Sequence, residues 1–175
     1  GLFRCEGLIE QNLIEGNSTE GYNGGGWGGG AYRISGIIDG NSFQGNRSGS
    51  GGGLYSPAGV ASNNLFISNY AMESGGGAKV EDCQLMNNIF YRNVAGRAHG
   101  GLGGPTTGTA YNCIIWANEA PLFPQVLDLY PEWYAYCCIE GWDNGGESNT
   151  AEDPLFIDAE GGNFRLQPNS PLIDA

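Results

Sequence analysis

Charge is scarce in this 175-residue chain. Asp, Glu, Lys and Arg together make up 15% of it, too little to cover the exposed faces of a coiled coil or a helix bundle. Helices are disfavoured from a second side, because 32 residues are glycine and glycine in a helix interior costs about 1 kcal/mol against alanine. Histidine occurs once, at His99, and none of the five cysteines stands in a Cys-x-x-Cys spacing, so a zinc site is not expected. No apolar run approaches the roughly 20 residues of a membrane-spanning helix, and no signal-peptide pattern is visible. Gly1-Leu2-Phe3 already falls inside the repeat, so a mature or excised segment is expected. Glycine-rich chains are often disordered, but 40% of these residues are hydrophobic and recur in a fixed register, which linkers do not show.

What is present is a repeat. Triple glycine ends at Gly30, Gly53 and Gly77, with Gly100-Gly101 in the next register, and asparagine follows each at Asn46, Asn69, Asn93 and Asn118. The spacings are 23, 24 and 24 for the glycines and 23, 24 and 25 for the asparagines. Three residues before these asparagines stand Phe43, Phe66, Phe90 and Ile115; five before stand Asn41, Asn64, Asn88 and Cys113. Asn12, Ile14 and Asn17 fit the same frame. Repeats built on helix pairs need some thirty or more residues. Short apolar runs such as Asn64-Leu65-Phe66-Ile67, broken by Gly, Asn and Ser, suit strands and tight turns. The prediction is an all-β chain, a single-stranded right-handed parallel β-helix of about seven coils of 23–25 residues, stacked at roughly 4.8 Å. The phenylalanine column then fills the interior. The asparagines are expected at bends, tolerating left-handed backbone and hydrogen-bonding along the stack, and the glycine triplets where the chain turns sharply or one face must stay flat.

Residues 1–118 form the repeat coils, and 119–175 the final coil or coils with an acidic closing segment of the same solenoid. From Asn17 to Asn46 the register lengthens to 29, so residues 18–30 read as an inserted glycine-rich loop that carries Tyr22 and Trp27. Insertions in solenoids become loops on one face and often bind. Tyr22 and Trp27, with Trp133 and Tyr134 further on, are candidates for stacking on a sugar ring, against the plainer reading of a loop folded onto its own coil. Net charge is −12, and its distribution is uneven. Residues 1–118 hold eight acids and six bases, whereas 119–175 hold eleven acids and only Arg165. Such a surface repels nucleic-acid phosphates, and anionic polysaccharides too unless a cation intervenes.

Asn112-Cys113-Ile114-Ile115-Trp116-Ala117-Asn118, Tyr136-Cys137-Cys138-Ile139-Glu140-Gly141, Asp153-Pro154-Leu155-Phe156-Ile157-Asp158, Phe164-Arg165-Leu166-Gln167-Pro168 and Ser170-Pro171-Leu172-Ile173-Asp174-Ala175 follow one another in order. Together, over 112–175, they resemble the closing portion of secreted bacterial right-handed parallel β-helix repeat proteins, relatives of the pectate-lyase superfold. The glycine and Phe-x-x-Asn units of 28–93 are similar to polymorphic outer-membrane protein repeats. The resemblance implies a secreted or surface-held β-helix, commonly without an assigned activity.

Ala110-Tyr111-Asn112-Cys113-Ile114 also aligns with Ala135-Tyr136-Cys137-Cys138-Ile139 at a separation of 25, which puts Cys113 and Cys138 in one column. Strand spacing lies within the reach of a disulfide, so a Cys113–Cys138 bridge is expected, with two buried thiols as the alternative. An enzyme on this fold would most plausibly cleave a polysaccharide. A lyase needs an Arg or Lys base and usually Ca²⁺ held by carboxylates. Its candidates are Arg92, Arg97, Lys79 and Asp82, with His99 and Glu81 nearby. A hydrolase needs paired carboxylates, and Asp39, Glu73, Glu81 and Asp82 do not share a column. The richest acidic set, Asp143, Glu147, Glu152, Asp153 and Asp158, offers oxygen ligands for Ca²⁺ but lacks an alternating Asp-x-Asp loop. Asp153-Pro154 serves equally well as a turn starter.

The expectation is therefore a non-catalytic extracellular structural or adhesive segment of a larger surface protein, or a subunit that stacks end to end into a fibre through unpaired edge strands. The alternatives are a polysaccharide lyase or glycoside hydrolase, and a carbohydrate-binding module.

Overall fold

Apolar triplets such as Leu65–Ile67 and Ile89–Tyr91 are long enough for one short strand and too short for a helix with a buried face. The computed structural model describes residues 1–19, 25–104, 108–127 and 129–173. In it each triplet pairs only with its equivalents one repeat away, always in parallel. The result is a parallel β-helix with two six-stranded sheets, one of five strands and one of three. Its only described helix is a 3-10 turn at Pro131–Trp133.

The taller sheets count six rungs, of which residues 31–116 make four complete turns, fewer than the expected seven coils. The shortfall lies after Glu140. There the chain adds only single parallel bridges to the last rung, at Glu147 and Thr150, and then forms an antiparallel hairpin, Phe156–Asp158 with Asn163–Leu166, against its side. Tyr91 anchors that hairpin: its ring meets Phe156 and Phe164 edge-on at 6.1 and 5.3 Å. Its hydroxyl donates to Glu160 Oε1 at 3.1 Å, and Arg92 pairs with Glu160 Oε2.

The interior is three side-chain columns. Ile14, Phe43, Phe66, Phe90, Ile115 and Ile139 form the first, with the phenylalanine rings stacked at 4.8 and 4.6 Å and within 8° of parallel. The second runs Leu2, Ala31, Leu54, Ala78, Leu102, and the third Ile9, Ile38, Ala61, Leu85, Ala110, Tyr134. Small and large alternate out of phase: Ala31 shares its turn with Ile38, Leu54 with Ala61, Ala78 with Leu85. Each turn therefore fills nearly the same volume, as dense packing demands.

Asparagine shapes two corners, but not as expected. The left-handed residues are those just before the ladder position: Gln11, Asn63, Asn87 and, before Cys113, Asn112 at one corner, and Ser68, Arg92 and Ala117 at the other, with φ between 50° and 56°. That conformation swings the chain so that the following asparagine points inward. Asn69 shows the pattern there. Its Oδ1 accepts from both the N–H and Nδ2 of Asn46 at 3.0 Å, and its own Nδ2 donates to Phe43 O and Asn93 Oδ1 at 2.9 Å. Asn41, Asn64 and Asn88 form the second ladder.

Each triplet glycine has its own reason. Gly75 turns the chain at φ 70°, and a Cβ on Gly76 would meet Gly100 O at 2.4 Å. One on Gly77 would meet Gly101 O at 2.7 Å and the Phe90 ring at 2.9 Å.

The two ends differ. Strands Leu2–Phe3, Glu6–Glu10 and Leu13–Glu15 pair on one side only, around a concave end of about 580 Å³ lined by Leu2, Cys5, Ile9 and Ile14. At the other end Gln125 replaces the next asparagine, accepting from Asn118 N–H and Nδ2 at 3.3 and 2.7 Å, and Tyr134 plugs the core.

Candidate functional site

Outward positions alternate with the core columns along each strand. Next to inward Leu2, Ala31 and Leu54 therefore stand outward Phe3, Tyr32 and Tyr55, which stack in series at 5.3 and 5.7 Å with planes within 20°. Trp27 joins them at 6.1 Å from Tyr32 and 6.0 Å from Tyr55. Phe3 is 67% and Trp27 53% exposed, while Tyr32, stacked between its neighbours, is buried.

Charged and polar groups surround these rings. The Arg4 guanidinium lies over Phe3 and that of Arg33 over Tyr32, each 5.3 Å from the centroid. Ser56 donates to Glu81 Oε2 at 3.2 Å. Burial pushes the Tyr55 phenol up, the charges of Glu81 and Tyr32 add to this, and Arg33 opposes it. Aromatic rings beside guanidinium, hydroxyl and carboxylate groups combine apolar contact with hydrogen-bonding capacity.

Trp27 is the one member of this cluster that the sequence singled out. Phe3, Tyr32 and Tyr55 carry a signal of their own: Leu2-Phe3-Arg4, Ala31-Tyr32-Arg33 and Leu54-Tyr55-Ser56 occupy one frame. Tyr22 lies outside the described residues. Trp133 is half-buried and stacks on Tyr130 at 4.2 Å, in the last turn rather than beside Trp27. Tyr134 faces inward, 1% exposed, and its hydroxyl donates to Gly104 O and Leu127 O at 3.0 and 3.1 Å. As a plug it offers no ring to a ligand.

The candidate catalytic residues are spread around one turn. Lys79 ends the strand Ala78–Lys79, Asp82 begins Asp82–Met86, Arg92 follows Ile89–Tyr91, and Arg97 follows Val94–Ala95. These strands belong to four different sheets. Arg92 is engaged by Glu160 beneath the hairpin, and Arg97 faces Glu73 at 3.6 Å, where both side chains are more than half exposed. His99 Nδ1 meets Ser74 Oγ at 3.0 Å, and its ring stacks on Phe123.

The acidic residues do local work. Asp153 Oδ1 accepts Leu155 N–H at 2.8 Å, Asp158 Oδ1 accepts Gly161 N–H at 2.9 Å, and Glu147 Oε1 accepts the Tyr136 hydroxyl at 2.8 Å. Asp143 is exposed on the segment after the last turn. Among the described residues no three or more His, Cys, Asp or Glu side chains assemble as a metal site.

The cysteine register differs from expectation. All five thiols are free, and Cys138 lies opposite Ile114, so it is Cys137 that occupies the column of Cys113. The separation is 24, because Ile139 must face inward over Ile115; the 25-residue alignment would turn it to the outer face. Cys138 points elsewhere, its thiol donating to Glu152 O at 3.2 Å. Burial first, and then the charges of Asp153, Glu152 and Glu140, push that thiol up to about 12; Cys83 is pushed to about 12 as well, mainly by burial.

No helix among the described residues is long and apolar enough to cross a membrane. Comparison with protein-family models, with curated proteins and with solved structures found no match to this chain.

Proposed function

We propose that this β-helix is a non-catalytic extracellular rod, a structural or adhesive segment of a larger surface protein. The observation that carries the reading is the pair of asparagine ladders. From Asn17 through Asn46, Asn69 and Asn93 to Asn118, every side chain bonds to the next turn, and Gln125 closes the series. Such a spine ties adjacent turns together independently of the sheets and holds outward residues at fixed intervals. That suits a molecule whose task is to keep its shape.

Single-molecule force extension tests the rod. Expected are successive ruptures of one coil each, about 24 residues or roughly 8 nm of contour; one low-force event for the whole chain would contradict it. Electron microscopy at micromolar concentration is expected to show discrete particles, and fibres would restore the stacking alternative. Turnover of pectin, alginate or rhamnogalacturonan, with or without Ca²⁺, would overturn the non-catalytic reading.

A second reading, a carbohydrate-binding surface, is favoured by the exposed Trp27, stacked on Tyr32 and tilted 31° to Tyr55. It predicts saccharide-dependent quenching of Trp27 fluorescence that Trp27→Ala removes. A glycan-array signal unchanged in Trp27→Ala would dismiss it.

A further inference from the structure

One asparagine ladder changes chemistry partway. After Asn64 and Asn88 its column continues as Cys113 and Cys137 before an amide returns at Asn149. The backbone bonds of the corner persist: Cys113 N–H donates to Cys137 Sγ at 3.4 Å, and Cys137 N–H to Asn149 Oδ1 at 2.9 Å. Each sulfur thus occupies the acceptor place of an asparagine oxygen. What is missing is the second bond, the side-chain amide donation that ties Asn64 to Asn88 at 3.0 Å. Both cysteines are fully buried, and they lie one strand spacing apart, roughly 4.8 Å.

We propose that Cys113 and Cys137 form a covalent cross-link site, joined by thiol–disulfide exchange with a small disulfide so that an S–S bond takes the place of the missing amide bond between the last two turns. The spacing falls within the Cα range a disulfide spans. In the exchange one cysteine loses its proton and its thiolate attacks the small disulfide, giving a mixed disulfide and one released thiol. The second cysteine, deprotonated in turn, attacks the bound cysteine sulfur and releases the other thiol. Two electrons and two protons pass from the pair to the oxidant.

The surroundings select this pair. Burial opposes ionisation of Cys113, but hydrogen bonds from Cys137 and Asn88 prevail and hold its thiol below the ordinary value. Its hydrogen bond with Cys113, reinforced by burial, pushes Cys137 up. Besides each other, the thiols have carbonyl partners, Tyr111 O for Cys113 and Ala110 O and Ala135 O for Cys137, at 3.3 to 3.4 Å. Segment 145–150 lies over Cys137, with Asn149 Nδ2 on Tyr134 O at 2.8 Å and Thr150 N–H on Cys137 O at 2.9 Å, so the oxidant is presented in moderate urea.

The cross-link stands or falls independently of the rod reading. The full chain, purified reduced, is incubated with oxidised glutathione in moderate urea, then alkylated and mapped by mass spectrometry. Expected is the loss of two of the five thiols, and a peptide pair joining Cys113 to Cys137. Cys138→Ser still loses two. Cys137→Asn, which rebuilds the ladder, loses none. Five alkylated thiols in the native sequence, or a Cys113–Cys138 peptide, would overturn the proposal; so would two lost thiols in Cys137→Asn.

Discussion

Removing one amide from the middle of a ladder should cost far more than its size suggests. Asn69→Ala deletes four hydrogen bonds, two received from Asn46 and two given to Phe43 O and Asn93 Oδ1. Asn69 and Asn46 are buried, so water does not replace the partners. Two orphaned donors on Asn46 at about 1–3 kcal/mol each, plus a smaller loss at the two acceptors, give about 3–6 kcal/mol. Against a total of about 5–15 kcal/mol for a typical domain, that is a large fraction. Asn87→Ala is the internal control. Asn87 belongs to an exposed string, donating to Asn63 Oδ1 at 3.2 Å and accepting from Asn112 Nδ2 at 2.8 Å, and its loss should cost about 1 kcal/mol, most of it the cost of alanine at φ 56°. Urea unfolding followed by circular dichroism measures both. Native-state hydrogen exchange should show the Asn69→Ala loss spreading to the amides of adjacent turns. If Asn69→Ala and Asn87→Ala cost the same, the ladders do not hold the rod together.

Three further outcomes follow from packing and charge. Leu54→Ala and Ala61→Leu should each destabilise, by about 2–5 and 1–3 kcal/mol, whereas the double variant restores the volume of the turn and should cost measurably less than their sum in a thermodynamic cycle. Gly76→Ala pushes a methyl into Gly100 O and should lower Tm markedly, while Gly45→Ala, with open space around it but φ 56°, should cost only about 1–2 kcal/mol. Asp39 Oδ1 accepts from Ser62 Oγ at 2.6 Å and Asn63 Nδ2 at 2.7 Å, which holds its pKa below the ordinary carboxylate value. The ionised form is thus favoured in the folded chain. Its contribution is complete above the unfolded pKa and fades as pH falls through the lower folded one, below about pH 4. A carboxyl NMR titration should find that low midpoint, and Ser62→Ala should raise it.

The phenylalanine column was legible because a tiled interior forces like residues to recur at one spacing. Phe43, Phe66 and Phe90 could not drift without breaking the stack. The complementary alternation of Ala31, Leu54 and Ala78 with Ile38, Ala61 and Leu85 is equally periodic but at twice the repeat, and therefore escapes a search at one period. The last cysteines were misread because Cys137-Cys138 offers two neighbouring candidates, and only the inward demand of Ile139 decides between them. Nothing periodic announces the hairpin, whose anchor pairs Tyr91 and Arg92 with Glu160, 69 and 68 residues away. At the candidate site Trp27 stood out as an aromatic in an inserted loop, but its partners Tyr32 and Tyr55 were hidden in ordinary strand positions. Tyr134 shows the converse: its neighbours suggest a surface aromatic patch, while the end of the core claims it as a plug.

The stacked register itself is tested most directly by a proton NOE spectrum of the aromatic side chains. The Phe66 ring is expected to show cross-peaks to both Phe43 and Phe90, residues 23 and 24 positions away whose rings lie at 4.8 and 4.6 Å. Between Phe43 and Phe90, two rungs apart, no direct peak should appear. A Phe66 ring that contacts neither, or a strong Phe43–Phe90 peak in their place, would contradict the parallel stack.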